Sequence, residues 1–220
     1  MPGKLPNELI PLPNQDKKWH ESWFQTRNLL NFPHPFRAVL CGPPNRGKST
    51  TIKNILMRVH PPFQEVKVIH PDPQGSQEYD DLDAEVMAEI PPPEDWEGQV
   101  KTLVIIDDVE LKLLNKDQLR NLDRLFGYVS THKNISCICT AQDAFNIAPC
   151  VRRCANLFVL WKSHDLDAMA TLARKSGLKL DDFRMLFSLC TQPRDSIWLD
   201  LTDESPAPLR INGFKPIEPV

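Results

Sequence analysis

The chain has 220 residues, of which 41% are hydrophobic and 25% charged, and its net charge is −3. That length sustains a single domain with a sizeable core. No apolar run approaches the ~20 residues of a membrane span. The 21 prolines are about twice the usual share, but they gather at the ends and in one internal segment, which excludes a fibrous chain.

Residues 1–33 read as an N-terminal proline-rich arm with a short helix. Met1-Pro-Gly-Lys-Leu-Pro lacks the apolar core of a signal peptide, so secretion is not expected. Between Gln15 and Leu30 the spacing of Trp19, Trp23, Arg27 and Leu30, with Phe24 and Leu29 beside them, predicts an amphipathic helix. It packs either on its own domain or on a neighbouring subunit.

The next stretch, Phe36 to Thr50, organises the rest. Ala38-Val-Leu-Cys41 is strand-like, and Thr50 to Val59 is helix-like, ended by His60-Pro-Pro. Between them Gly42-Pro43-Pro44-Asn45-Arg46-Gly47-Lys48-Ser49 fits G-x₄-G-K-S. Glycine lets a phosphate approach bare backbone, whose N–H groups face the anion with those of the following helix. Lys48 reaches the β/γ-phosphates, and the Ser49 hydroxyl serves Mg²⁺. Pro43 and Pro44 lack N–H donors, so the backbone hold runs from Asn45 through Arg46 to Thr50. A plain Gly/Pro surface turn is the alternative.

Glu65-Val-Lys-Val-Ile-His70 predicts a second strand. Residues 71–100 hold ten acidic residues and no Lys or Arg, with Pro91-Pro-Pro93. They predict a polar, partly looped insertion with a solvated face that would repel DNA phosphate. Thr102-Leu-Val-Ile-Ile-Asp-Asp-Val109 predicts a buried parallel strand with carboxylates at its C-terminal edge, where ligands bind in open α/β sheets. Asp107 would hold Mg²⁺ through water, and Asp108 would polarise the attacking water.

Asn115-Lys-Asp-Gln118 predicts an N-cap with a capping-box partner, and a helix that turns Leu119, Leu122, Phe126 and Val129 inward. Lys112, Lys116, Arg120 and Arg124 recur every four residues; from Lys116 on they form a basic face, either merely solvated or contacting DNA. Asn134-Ile-Ser-Cys-Ile-Cys-Thr140, Asn156 to Trp161 and Asp195 to Leu201 predict strands, and residues 164–176 and 181–190 predict helices. The Pro149-punctuated segment before Asn156 predicts a loop that carries Arg152 and Arg153. The tail 202–220 is expected to be irregular. Cys41, Cys137 and Cys139 lie in apolar runs, as reduced thiols of a cytosolic or nuclear protein do. Cys137-x-Cys139 and Cys150-x₃-Cys154 lack the spacing of ordinary zinc sites and are expected to be core cysteines. The alternation of elements predicts an α/β domain over 34–201 with a mostly parallel sheet covered on both faces.

The order of G-x₄-GKS, the strand ending Asp107-Asp108, His132-x-Asn134-Ile-Ser136, Gln142 and Pro149-x-x-Arg152 resembles the viral genome-packaging ATPases of the FtsK–HerA superfamily, over residues 34–200. The resemblance implies a RecA-like ASCE P-loop NTPase, a three-layer sandwich in which the strand ending near Thr140 lies between those of Gly42 and Asp107. It implies ATP and Mg²⁺ as cofactors, Gln142 aimed at the γ-phosphate, and a homo-oligomeric ring, pentamer or hexamer, with an arginine supplied in trans. It further implies double-stranded DNA and a capsid vertex or portal protein as partners, at virus assembly sites in the host nucleus or cytoplasm or in the virion. Two residues depart from the family. Asp108 stands where many relatives outside the packaging branch carry Glu, which leaves Glu110 as a reserve. Thr131 stands where packaging ATPases often carry Arg, which leaves Arg152, Arg153, Arg120, Arg124 or Lys133 as the finger. The competing functions are a P-loop kinase acting on a nucleoside or other small molecule, and a non-packaging assembly ATPase.

Overall fold

The computed structural model describes residue 30, residues 32–217 except 75–76, 112, 164, 166, 168–169, 173, 175–176, 203–204 and 206, and no residue outside that span. The amphipathic helix expected over Gln15 to Leu30 lies almost wholly outside the described residues, as does Lys112. Leu30 and Phe32, the described end of the arm, are buried.

Strands β1 (Arg37–Cys41), β2 (Glu65–Ile69), β3 (Ala84–Met87), β4 (Thr102–Ile106), β5 (Ile135–Ala141), β6 (Leu157–Trp161), β7 (Ser196–Asp200), β8 (Leu209–Ile211) and β9 (Lys215–Pro216) form one sheet. Its order is β3-β2-β4-β5-β1-β6-β7-β8-β9. The first six strands in that order run parallel; β7, β8 and β9 pair antiparallel. The main helices are α1 (Lys48–Arg58), α2 (Lys116–Arg124), α3 (Pro149–Cys154) and α4 (Leu180–Leu186). Described residues between 167 and 174 are helical too.

Strand periodicity sorts the apolar residues onto two faces. Ala38 and Leu40 of β1 pack with Ile52 and Ile55 of α1, while Val39 and Cys41 pack with Leu122 and Phe126 beyond the other face. Both faces are covered, so β4, β5 and β6 are buried along their whole length. This is the three-layer α/β sandwich that the alternation of elements predicts. β5 lies between β1 and β4, as the resemblance implies.

Four local expectations change. The tail is not irregular: β8 and β9 extend the sheet, and Arg210 of β8 forms a fully buried 2.9 Å ion pair with Asp200 of β7. The acidic segment is not merely a solvated face, because it contains β3 and buries Tyr79, Ile90, Pro93 and Trp96. At α2 the Asn115 side chain accepts from Gln118 N at 2.9 Å as expected. The Gln118 side chain does not return to the cap, however: its Oε1 accepts from Ile90 N at 2.7 Å, since that buried backbone needs a partner. Leu119 is exposed, whereas Leu122, Phe126 and Val129 are buried. A π-helical turn at Leu125–Val129 continues α2 and shifts the inward face.

Candidate nucleotide-binding site

The loop Gly42–Gly47 leaves the C-terminal end of β1. Its first amide donates to Ala141 O at the end of β5, at 2.9 Å. A Cβ on residue 42 would meet Trp161 Cβ at 2.7 Å, so only glycine lets β1 end against β6 in this way. Asn45 (φ 59°) and Gly47 (φ 100°) are left-handed and curl the backbone into α1. That helix begins with no side-chain cap and no acidic residue in its first turn. Its first N–H groups and the positive end of its dipole therefore suit an anion.

Lys48 Nζ donates to the carbonyls of Gly42 (2.9 Å) and Pro43 (3.2 Å), so the ammonium spans the loop. Arg46 turns aside: its guanidinium donates to Pro193 O at 2.7 Å. Thr50 is exposed on the first turn of α1. With Gly47, Thr51, Asn54, Trp198 and Phe214 it lines a cavity of about 220 Å³.

On the other side stand the acids. Asp107 follows β4, is 4% exposed, and donates its amide to Ile69 O at 3.0 Å. Its Oδ1 accepts from the Thr140 hydroxyl and its Oδ2 from the Tyr79 hydroxyl, both at 2.6 Å. A carboxylate offers about four lone-pair positions, so acceptor capacity remains for water on a cation. The Ser49 hydroxyl donates to Glu78 Oε2 at 2.6 Å. Because Glu78 and Tyr79 are adjacent, Ser49 and Asp107 are linked through one turn of chain. A hydroxyl, a carboxylate, phosphate oxygens and water are the ligands that Mg²⁺ takes beside a nucleotide, and these residues fit it. Among the described residues no group of three or more His, Cys, Asp or Glu could hold a metal alone.

Asp108 is left-handed (φ 52°), a strained conformation for a non-glycine residue. Its amide approaches Thr140 Oγ1 at 3.3 Å, and its exposed side chain lines a cavity of about 290 Å³ with Glu110, Thr140, Gln142 and Asn146. Asp108, Glu110 and Gln142, read from separate stretches, thus share one pocket beside the loop.

Other expected residues lie elsewhere. Arg152 and Arg153 sit on a helix, α3, and not on a loop. The end of α3 leads to the N-terminal edge of the sheet, where Asn156 N donates to Arg37 O at 2.9 Å; the loop Gly42–Gly47 is at the opposite edge. Arg153 has an acidic neighbour the sequence reading missed, Asp123 of α2, at 3.5 Å. A cavity of about 280 Å³ is lined by Arg152, Arg153 and Arg174, the last not singled out by the sequence. Lys116 and Arg120 are exposed and Arg124 half-buried along α2. Asn134 and Ser136 hold the His34 ring, Nε2 to Asn134 Oδ1 and Nδ1 to Ser136 Oγ, both at 2.8 Å. Their motif therefore serves the sheet edge away from the phosphate loop. The six cysteines are all free thiols, and no described helix is long and apolar enough to cross a membrane.

Most of the chain superposes on solved structures. The DNA-packaging ATPase B204 from Sulfolobus Turreted Icosahedral Virus matches with a TM-score of 0.60 at 15% identity, over 85% of this chain and 100% of that one. The chain shares its fold with genome-packaging ATPases. B204 from Sulfolobus turreted icosahedral virus 2 matches in complex with AMPPCP, with a TM-score of 0.57 at 15% identity over 87% of this chain and 100% of that one. The same protein in complex with ATP-gammaS matches with a TM-score of 0.56 at 16% identity, over 84% and 99%. No family model and no curated protein sequence matches the chain.

Tyr79, Glu78 and Thr140 are the site residues that sequence reasoning missed. Thr140 could have been found as the polar residue that ends an apolar strand. Glu78 and Tyr79 carry no local signal.

Proposed function

We propose that this chain is an ATP-hydrolysing motor that moves double-stranded DNA into a preformed viral capsid. The observation that supports it is the placement of β5 between β1 and β4. That order sets the Gly42–Gly47 loop, Asp107 and the Asp108–Gln142 pocket along one edge, as hydrolysis by water requires. The fold likeness to packaging ATPases supports the same reading.

In this reading the loop amides from Asn45 to Thr50 and Lys48 bind the phosphates, and Gly42, Pro43 and Pro44 shape the cradle. The aromatic cavity beside Thr50 receives the base end. Bound Mg²⁺ supplies charge neutralisation on the β/γ oxygens. Ser49 and Asp107 orient it, Asp108 accepts the proton of the attacking water, and Gln142 aligns that water. Arg152 or Arg153 reaches a neighbour's site in a ring, and the Lys116, Arg120, Arg124 face meets DNA.

The test is ATPase rate against protein concentration, with and without duplex DNA. A rate per subunit that rises with concentration and with DNA is expected. Neutralising Lys116, Arg120 and Arg124 together should reduce the DNA stimulation and flatten its salt dependence. Hydrolysis that ignores DNA would sink the motor, and transfer of phosphate to a nucleoside would make the protein a kinase.

A further inference from the structure

The turn Gln77–Tyr79 lies in the acidic segment whose composition suggests only a solvated face. It is nevertheless built into the core. Tyr79 is 1% exposed and packs with Val68, Leu103 and Ile105 of β2 and β4. Its hydroxyl donates to Asp107 Oδ2 at 2.6 Å.

The residues on either side stitch this turn to α1. Glu78 Oε2 accepts from Ser49 Oγ, and Asp81 Oδ1 pairs with Lys53 Nζ, both at 2.6 Å. Ser49 and Lys53 are one helical turn apart, so the two contacts share a face of α1.

A hydroxyl has one proton and two lone pairs. With its proton committed to Glu78, Ser49 presents only lone pairs to its remaining surroundings, which is what a cation requires. Asp107, held at both oxygens by Thr140 and Tyr79, is likewise fixed in rotamer while it keeps acceptor capacity.

We propose that Glu78 and Tyr79 are positioning residues for the magnesium site of the bound nucleotide: Glu78 orients the Ser49 hydroxyl and Tyr79 the Asp107 carboxylate. This rests on the nucleotide-site reading above and assigns it a wall that comes from outside the phosphate loop and β4. Hydrogen-bond partners of metal-holding groups change metal affinity by roughly 10- to 100-fold when removed.

The test uses the full chain and a fluorescent, non-hydrolysable ATP analogue, titrated with MgCl₂ or held in EDTA. In Glu78→Ala and in Tyr79→Phe the Mg²⁺ concentration that half-saturates the enhancement should rise about tenfold or more. Analogue affinity in EDTA should stay within about twofold, because the loop and Lys48 are untouched. Glu78→Gln, whose amide oxygen still accepts from Ser49, should recover most of the Mg²⁺ response. Glu78 is exposed, so thermal midpoints of its variants without nucleotide should match the wild type; Tyr79→Phe keeps the buried ring but leaves Asp107 Oδ2 short of a donor, and its midpoint should fall. If Tyr79→Phe fails to fold, the contrast between Glu78→Ala and Glu78→Gln decides. An unchanged Mg²⁺ response in these variants, while Lys48→Ala still abolishes binding, overturns this proposal alone. Binding that is indifferent to Lys48→Ala overturns the nucleotide site and this proposal with it.

Discussion

The Thr140 hydroxyl donates to Asp107 Oδ1 at 2.6 Å, and its oxygen receives the Asp108 amide at 3.3 Å. One side chain of β5 thereby straps both acids at the end of β4. Thr140→Val keeps the shape and removes the strap. Leaving the buried Asp107 oxygen short of a donor should cost about 1–3 kcal/mol of stability. kcat should fall about tenfold, as the strained Asp108 loses its restraint. Thermal unfolding and steady-state ATPase assays check this, and wild-type values in both would remove Thr140 from the site.

Asp108 and Glu110 line the same pocket, so substitution must separate them. Asp108→Asn should leave ATP binding within about twofold and lower kcat by a factor of roughly 100 or more, since the acceptor for the water's proton is lost. Glu110→Gln should have little effect. Lys48→Ala should abolish hydrolysis, because the other cation of the loop, Arg46, is turned to Pro193 O and does not replace its charge on the phosphates. A dead Glu110→Gln beside an active Asp108→Asn would exchange the two roles.

Arg152 and Arg153 end a helix that leads to the sheet edge opposite their own chain's phosphate loop. If they act, they act on a neighbour. Lys48→Ala subunits keep both arginines, and Arg152→Ala/Arg153→Ala subunits keep an intact loop. Mixing the two inactive proteins should restore part of the hydrolysis rate. A mixture that assembles but stays as inactive as its components assigns the finger elsewhere.

His34 titrates well below the ordinary histidine value, at about 4, chiefly because of burial and secondarily because of the Lys101 charge. Its neutral ring is held by Ser136 and Asn134. The unfolded chain takes up this proton near pH 6.5, before the folded one does. Stability from this group is therefore full above pH 6.5 and declines as pH falls toward 4, by about 3 kcal/mol at most. Urea unfolding of wild type and His34→Gln between pH 7 and pH 4 measures it. The wild type should show the steeper loss, and parallel curves would exclude His34 as the cause.

Much of the site can be read in contiguous stretches. Gly42 to Ser49 carries its own geometry, since left-handed φ at Asn45 and Gly47 and an uncapped helix start are local properties of neighbouring residues. Asp107 and Asp108 are announced by the apolar run before them. What escaped was not local. Tyr79 sits among acidic residues whose average composition says solvent, yet one hydroxyl bonded across 28 positions draws it into the core. Gln118 follows a capping pattern but bonds to Ile90, because a buried backbone amide competes better than a solvated cap.

The sequence alone determined the loop Gly42–Gly47 and its uncapped helix start, the acids at the end of β4 and the α/β class. Each depends on backbone preference and strand or helix periodicity within a few residues. The tertiary structure decided that Glu78 and Tyr79 brace Ser49 and Asp107, that the helix carrying Arg152 and Arg153 leads to the sheet edge opposite their own loop, and that the tail closes the sheet through the buried Arg210–Asp200 pair. Those contacts join segments far apart in the chain. Their partners are chosen by which polar groups the folded core leaves facing one another, a choice no local pattern records.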